Sequence, residues 1–190
     1  MKGISKIVRL WGSIAALLLL GVCKASGQNY SISTNAAEWL VLGTANIQAS
    51  FPVSRHTGIL AGAAFNPFTF GGGDNRKYFR RMEFSLGARY WPWFVNSGWF
   101  INGYADWAKY SYGGIFTRKS YEGYAYGVKL GGGYALILDK GINLEMGWGT
   151  FMGIDSHTRY SCTKCGKSEG KTQRFIVSPT AVLFGISLIF

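Results

Sequence analysis

The last stretch of the chain, Thr180-Ala181-Val182-Leu183-Phe184-Gly185-Ile186-Ser187-Leu188-Ile189-Phe190, alternates between two kinds of side chain. Counting back from the end in steps of two gives the large apolar residues Phe190, Leu188, Ile186, Phe184 and Val182. Small or polar residues, namely Ser187, Gly185 and Ala181, lie between them. A period of two is that of a β-strand with two different faces. The stretch therefore predicts a terminal strand with one apolar face, which suits either a membrane barrel or the edge strand of a soluble β-sandwich.

The other end of the chain has the features of an export signal. Lys2, Lys6 and Arg9 form a positive start, residues 14–22 form a short apolar run, and residues 25–27 offer a small-residue cleavage site. We therefore predict a signal peptide over 1–27 and one mature domain over 28–190. Acylation of Cys23 is the alternative, although Val22 fits poorly before a lipidated cysteine. The apolar run is too short to span a membrane as a helix.

The composition of the mature chain limits the classes of protein to which it can belong. The whole sequence has 20 Lys and Arg against 9 Asp and Glu, a net charge of +11, but four of these cations lie in the predicted signal. The +11 therefore overstates the basicity of the working protein. Glycine and aromatic residues are abundant and proline is scarce. This mixture is typical of β-barrels, which place aromatic residues at membrane interfaces, and it argues against a disordered chain.

Period-two segments recur along the chain before the last one. They cover residues 30–41, 44–51, 57–68, 81–90, 99–110, 121–137 and 142–152. The first of them fits a strand or a short amphipathic helix. Counted together with 180–190 they predict an all-β fold, an eight-stranded antiparallel transmembrane β-barrel. An even number of strands brings both termini to the same side, the periplasmic one.

The connections between these segments alternate in length. Residues 52–56, 91–98 and 138–141 are short connections, whereas 69–80, 111–120 and 155–173 are longer and polar. Short periplasmic turns and longer outer loops are typical of outer-membrane barrels. The aromatic connection 91–98 is of the kind expected at a membrane surface.

The alternation also predicts what each face contacts. If the apolar faces point to lipid, the opposite faces place five charged residues in the barrel interior: Glu83, Arg89, Asp106, Lys129 and Glu145. Both signs are present, so these residues are expected to pair across the lumen. The interior of eight strands is just wide enough for side chains, which predicts a plugged core. A soluble barrel of lipocalin type, with the apolar faces inside, is the alternative that the same pattern permits.

Several short motifs occur in a fixed order along the chain. They are Thr34-Asn35, Asn66-Pro67-Phe68, Ala88-Arg89-Tyr90-Trp91, Tyr121-Glu122-Gly123-Tyr124-Ala125-Tyr126-Gly127, Asn143-Leu144-Glu145, Cys162-Thr163-Lys164-Cys165-Gly166 and Pro179-Thr180. As an ordered set they resemble a group of Bacteroidota outer-membrane proteins catalogued only as a domain of unknown function, with OmpA-like small barrels as distant relatives. Residues 35–43 depart from the group's pattern.

The resemblance implies an outer-membrane barrel in a Gram-negative bacterium. Some members of the group lie near fimbrial genes, which implies surface assembly or adhesion and a surface or fimbrial protein partner. The group brings no catalytic residue, so none is carried over to this chain.

Cys162 and Cys165, with His157 nearby, form the only metal-like pattern in the sequence. A structural zinc site needs four ligands, and no second pair follows. In an oxidising compartment a local disulfide between Cys162 and Cys165 is the plainer interpretation, with free thiols, a metal site and redox chemistry as alternatives. We predict no metal, no cofactor and no catalytic residue. Lipid-A-modifying barrel enzymes need a histidine or serine triad at the outer surface, whereas His56 falls in a predicted periplasmic turn.

The predicted outer loops are rich in cations: Arg76, Lys77, Arg80, Arg118, Lys119, Lys164, Lys167 and Lys171. The phosphates of lipopolysaccharide are the nearest anions, and simple attraction at the rim is the expected result. An exported protein is not expected to bind nucleic acid.

These observations predict a monomeric, non-enzymatic protein of the outer membrane. Its expected partners are membrane lipid, lipopolysaccharide and the barrel-assembly machinery, and its expected role is envelope structure, adhesion or surface assembly. A narrow pore or a small-solute-binding barrel is the alternative function, and a lipid-A-modifying enzyme is a third.

Overall fold

The computed structural model describes residues 30–40, 43–71, 77–115, 119–161, 168–179 and 182–190. Within these ranges the chain forms ten strands and one short helix. They are β1 (Ser31–Asn35), α1 (Ala36–Leu40), β2 (Ala45–Pro52), β3 (Thr57–Asn66), β4 (Thr69–Phe70), β5 (Lys77–Tyr90), β6 (Gly98–Gly113), β7 (Ser120–Asp139), β8 (Ile142–Tyr160), β9 (Ser168–Pro179) and β10 (Leu183–Ile189). No helix in the described ranges has the length and apolar character of a membrane span. The predicted signal peptide, 1–27, lies outside the described residues.

The strands close into an antiparallel barrel through β10. On one side β10 pairs with β1, where Ile186 lies opposite Thr34, and on the other it pairs with β8, where Ile186 lies opposite Leu144. A closed barrel that begins with 30–41 and ends with 180–190 predicts both neighbours of the terminal strand, namely 142–152 on one side and the first strand on the other. Strand β9 pairs with the rest of β8, from Thr150 onward, so β9 and β10 share one position in the wall. The barrel therefore has eight strand positions, and the predicted all-β, eight-stranded antiparallel fold is confirmed.

The side chains of the barrel are distributed in the opposite way to those of a water-soluble protein, with large apolar residues outside and polar residues inside. Large apolar residues are exposed on the outer face, as Leu86 is at 61 %, and the exposed set includes Phe84, Ile101, Leu130 and Trp148. Polar and charged residues are buried in the interior. A soluble barrel of lipocalin type has the reverse arrangement, because water drives apolar side chains inward.

Two ends of the barrel are distinguished below. At the turn end, β2 connects to β3, β5 to β6, and β7 to β8. The β7–β8 hairpin turns at residues 140–141, where Asp139 Oδ1 accepts a hydrogen bond from the Lys140 amide at 2.7 Å and Gly141 has a φ of 97°. The tight turn predicted there is present. Trp91, predicted as part of an aromatic surface turn, is instead fully buried, whereas Trp93 and Phe94 are exposed.

At the opposite end, the loop end, the strands extend further than the sequence predicted. Strand β8 continues to Tyr160 and β9 begins at Ser168, so the two strands together take up most of the segment predicted as the outer loop 155–173. Strand β5 begins at Lys77, within the predicted loop 69–80. In these extensions neither face of the strand is consistently apolar. The sequence therefore shows no hydrophobic period of two there from which a strand could be predicted.

The segment 30–41 contains both of the structures that its sequence allowed. Residues Ser31–Asn35 form β1, and the chain then turns into α1. Asn35 sets this boundary, because its Oδ1 accepts a hydrogen bond from the Ala37 amide at 3.2 Å, the position of a helix N-cap. The Asn35 amide in turn donates to Asn46 Oδ1 on β2 at 2.6 Å.

Glycine pairs allow β7 and β8 to approach each other closely. Gly127 lies opposite Gly153, and Gly133 lies opposite Gly147. A Cβ atom added to Gly127 would overlap the carbonyl oxygen of Met152 and the Cα of Gly153. The two strands approach each other too closely here for any larger residue.

Candidate functional site

The interior of the barrel is the candidate site, and its layers are described from the turn end to the loop end. The first layer is an ion pair between Arg89 and Glu145, hereafter the lower ion pair. Arg89 Nη1 lies 2.8 Å from Glu145 Oε2, and both side chains are almost fully buried. The Arg89 guanidinium also lies over the rings of Phe100 and Trp91, with centroid distances of 4.2 and 5.6 Å. These contacts hold the arginine by charge and by cation–π attraction.

Above it lies a group of four charged residues, the central charge cluster: Arg81, Glu83, Asp106 and Lys129. Glu83 contacts both Arg81 and Lys129, and Lys129 Nζ also lies 3.1 Å from Asp106 Oδ1. Strands β5, β6 and β7 each contribute to it. Two cations and two anions cancel within the cluster, so it is compact and nearly neutral as a unit.

A cavity of about 450 Å³ adjoins the central charge cluster. Its polar wall includes Gln48 and Tyr104, whose hydroxyl donates to Gln48 Oε1 at 3.0 Å. Its apolar wall includes Phe151, Ile176 and Leu183. Ligand pockets in proteins usually measure about 300–1,000 Å³, so this space is large enough for a small organic molecule.

Nearer the loop end lies a second set of polar residues, the upper cluster: Tyr110, Asp155, His157 and Arg174. Asp155 is buried and accepts a hydrogen bond from the Tyr110 hydroxyl. Its Oδ2 lies 2.8 Å from His157 Nδ1 and 3.2 Å from Arg174 Nε. One carboxylate therefore anchors side chains from β6, β8 and β9.

At the loop-end rim, Glu169 joins two cations. Its Oε2 lies 2.6 Å from Arg159 Nε and 3.2 Å from Lys119 Nζ. A hydrogen bond from Ser161, followed by the contact with Lys119, holds the pKa of the Glu169 carboxyl below its ordinary value of 4.5. A second cavity of about 450 Å³ lies behind this rim, lined by Tyr112, Tyr121 and two members of the upper cluster, His157 and Arg174.

The five charged residues predicted for the interior lie there. The structure brings Glu83, Asp106 and Lys129 together in the central charge cluster, and Arg89 and Glu145 together in the lower ion pair. Arg81 belongs to the central charge cluster but was not predicted as part of it, although it shares a face with Glu83 by the period of two.

The upper cluster was missed altogether. The sequence predicts a loop at Asp155 and His157, yet stepping by twos from Glu145 along β8 leads to both of them. Both residues keep the inward alternation of β8, but the outward positions between them are not consistently apolar, so the hydrophobic pattern does not predict a strand here.

The predicted basic outer residues lie in several places. Lys77 and Arg80 are in β5 and Lys171 is in β9, so these three are on strands and not in loops, because the strands extend further at this end. Lys119 immediately precedes β7. Arg76, Arg118, Lys164 and Lys167, together with the Cys162 and Cys165 of the predicted disulfide, lie outside the described residues. The apolar face predicted for the terminal strand is on the barrel exterior, where all five members are exposed: Val182, Phe184, Ile186, Leu188 and Phe190.

The remaining histidine, His56, lies in the β2–β3 turn at the turn end. Its Nδ1 is 3.2 Å from the Trp91 carbonyl oxygen, and its ring stacks near Phe94. These contacts give His56 a structural role in joining two turns.

Comparison with known proteins gives a family and no function. No curated protein matches the chain. The model of a family described as a protein of unknown function, DUF3575, matches residues 13–190, which is nearly the whole chain. The chain is therefore a member of the DUF3575 family.

Proposed function

We propose that this protein is a non-enzymatic barrel of a Gram-negative outer membrane, a small barrel of OmpA-like kind. The observation that carries the proposal is the inside-out distribution of side chains. Exposing Leu86, Ile101, Leu130 and Ile186 to water would be unfavourable by about 25 cal/mol for each Å² of apolar surface, whereas lipid solvates that surface. The five charges predicted for the interior lie inside the barrel in ion pairs, away from the surface where lipid would exclude them.

The position of the exposed aromatic residues supports the same placement. On β6, Trp99 lies near the turn end and Trp107 lies further along the same outer face; on β7, Tyr134 and Tyr126 lie opposite them in register. The strand between the two positions spans roughly 20 Å at about 3.3 Å per residue and a tilt near 40°. Outer-membrane barrels carry an apolar band of about 25 Å with an aromatic girdle at each edge. We call the outer face between these two girdles the apolar band.

Beyond the apolar band, the loop ends of β5 to β9 form a wall that presents charge. Lys77, Arg80 and Lys171 lie on it, with Arg159 and Arg174 nearby. In an outer membrane these cations face lipopolysaccharide phosphates and surface partners. The proposed role is to present this wall at the cell surface, for attachment to the envelope or for surface assembly with an acidic or fimbrial protein.

Membrane placement is tested by fractionation and by heat-modifiable gel migration. The proposal predicts that the protein is found in the outer-membrane fraction and migrates differently when it is not boiled. Recovery in the soluble periplasmic fraction with unchanged migration would sink it.

The presenting role is tested with the barrel in neutral nanodiscs and purified lipopolysaccharide as the probe. Replacing Lys77, Arg80 and Lys171 together by serine should weaken binding and reduce its salt dependence. Lys140→Ser is the matched control, because it removes a cation at the turn end. Equal loss in both variants would contradict a specific role for the loop-end wall.

A barrel that binds a small molecule is the second candidate function. The cavity beside the central charge cluster favours it. The lower ion pair lies between this cavity and the turn end, so a steady conductance is not expected in planar-bilayer recordings.

A further inference from the structure

The wall of the barrel has a seam beside β9. Strand β9 pairs with β8 along one edge, and no strand within the described residues pairs with its other edge. The next strand around the barrel, β1, pairs with β10 on this side and with β2 on the other, and it ends at Asn35, where the chain turns into α1. In the described part of the chain, backbone hydrogen bonds therefore do not join β9 to the β1–β2 side. This gap between β9 and α1 is called the seam.

The cavity beside the central charge cluster lies directly behind the seam. Asn35 and Glu38 line it from the α1 side, while Ile176, Pro179 and Leu183 line it from the other side. The same space is thus bounded by both margins of the seam and by the polar interior. A molecule bound in the cavity would have a path to the side of the barrel as well as to its loop end.

The outer margins of the seam are apolar. Phe175 and Val177 on β9 are exposed, and in the β8–β9 register they lie opposite Ile154 and Met152. Across the seam, α1 exposes Trp39 and Leu40. In the proposed membrane placement these residues border the upper part of the apolar band. An alkyl chain dissolved in lipid would meet matching surface here, whereas a water-soluble solute would not.

The two walls of the cavity differ in chemistry. Phe151, Ile176 and Leu183 form the apolar wall. The register places Ile176 opposite Gly153 and Ser178 opposite Phe151 on the inward face of β9. The opposite wall carries Gln48, Tyr104 and the central charge cluster, whose charges cancel. Such a wall offers hydrogen bonds without a net charge that would select an ionic headgroup.

We propose that this cavity binds an uncharged amphiphile with a single alkyl chain, which enters from the membrane through the seam. The chain lies against Phe151, Ile176 and Leu183, and the polar head hydrogen-bonds to the wall formed by Gln48, Tyr104 and the central charge cluster. The route of entry rests on the proposed membrane placement, whereas the binding itself does not.

The test uses the full barrel in phosphatidylcholine nanodiscs, with monopalmitoylglycerol as the probe and native mass spectrometry as the readout. The wild type should bind one molecule of monopalmitoylglycerol saturably. Palmitate, which has a charged head, should bind at least about tenfold more weakly. Ile176→Trp fills the cavity and should weaken monopalmitoylglycerol binding by about tenfold or more. Val177→Trp is the matched control, because its side chain points outward on the same strand; its binding should stay within about twofold of wild type.

Three results would overturn the proposal: no saturable binding, equal binding of palmitate, or equal effects of Ile176→Trp and Val177→Trp. If Ile176→Trp does not fold, as judged by heat-modifiable migration, Leu183→Phe replaces it and the comparison with palmitate on the wild type still decides. Failure of membrane placement is seen separately, in cell fractionation, and leaves the nanodisc binding result standing.

Discussion

Removing one partner of the lower ion pair should destabilise the barrel more than any exposed charge change. Arg89 is only 2 % exposed, and the Glu145 carboxylate lies 2.8 Å from its guanidinium. In Glu145→Ala the buried cation keeps its contacts with the Phe100 and Trp91 rings, which contribute about 1–2 kcal/mol, but loses its counter-charge. Breaking a buried pair in this way costs about 3–5 kcal/mol of unfolding free energy.

The change is measured by urea unfolding of the barrel in detergent micelles, followed by tryptophan fluorescence. Replacing both partners, in Arg89→Met with Glu145→Leu, removes the charge and its partner together and should recover most of the loss. Glu122→Ala is the control: this exposed carboxylate on β7 should change the unfolding free energy by no more than about 0.5 kcal/mol. A loss below about 1 kcal/mol in Glu145→Ala, or a double variant less stable than the single one, would refute the reasoning.

Two further changes test other parts of the structure. Gly127→Ala should destabilise the barrel by about 1–3 kcal/mol in the same urea assay, because its Cβ would overlap the backbone of β8. Gly103→Ala should have little effect, because its Cβ would meet the flexible Leu130 side chain at 3.3 Å and the Lys129 carbonyl oxygen at an ordinary contact distance of 4.0 Å. Equal effects of the two changes would count against the close β7–β8 approach. At the loop-end rim, NMR titration should give Glu169 a pKa below 4.5, and Ser161→Ala should raise it. Because the pKa is lowered by folding, the stabilisation is present above pH 4.5 and is lost as the pH falls through the lowered value; an unchanged pKa in Ser161→Ala would exclude Ser161 as its main cause.

The barrel was predictable because its middle portion repeats one simple rule. From Phe84 to Tyr90 and from Val182 to Phe190, every second residue is apolar and exposed in the structure. From Trp99 to Trp107 the same holds except at Gly103, which is half-buried. The charges between them, such as Glu83 and Arg89, had to lie on the opposite face. Closure of the terminal strand onto the first strand followed from counting the segments.

The loop end was less predictable, since strands there carry polar residues on both faces. Asp155 and His157 fall in the predicted loop 155–173, yet they lie on β8 and join Arg174 of the paired strand β9 in the upper cluster. These strand ends form because they pair with strands that are distant in the sequence, and a local period in the sequence does not show such pairing. The turn into α1 depends on Asn35, whose cap is a single side-chain hydrogen bond, and the burial of Trp91 depends on Arg89 and Phe100 beneath it.

The most direct test of the central claim is to measure whether lipid or water contacts the outer face of the barrel. Nitroxide labels are attached at Leu86, Leu130 and Ile186, one at a time, in protein reconstituted into lipid nanodiscs, and their collision rates with oxygen and with a water-soluble nickel chelate are compared. Lys171, exposed on β9 beyond the apolar band, is the reference. The account predicts high oxygen and low nickel accessibility at the first three sites and high nickel accessibility at Lys171. Equal nickel accessibility at all four sites would show that water, and not lipid, surrounds the apolar band.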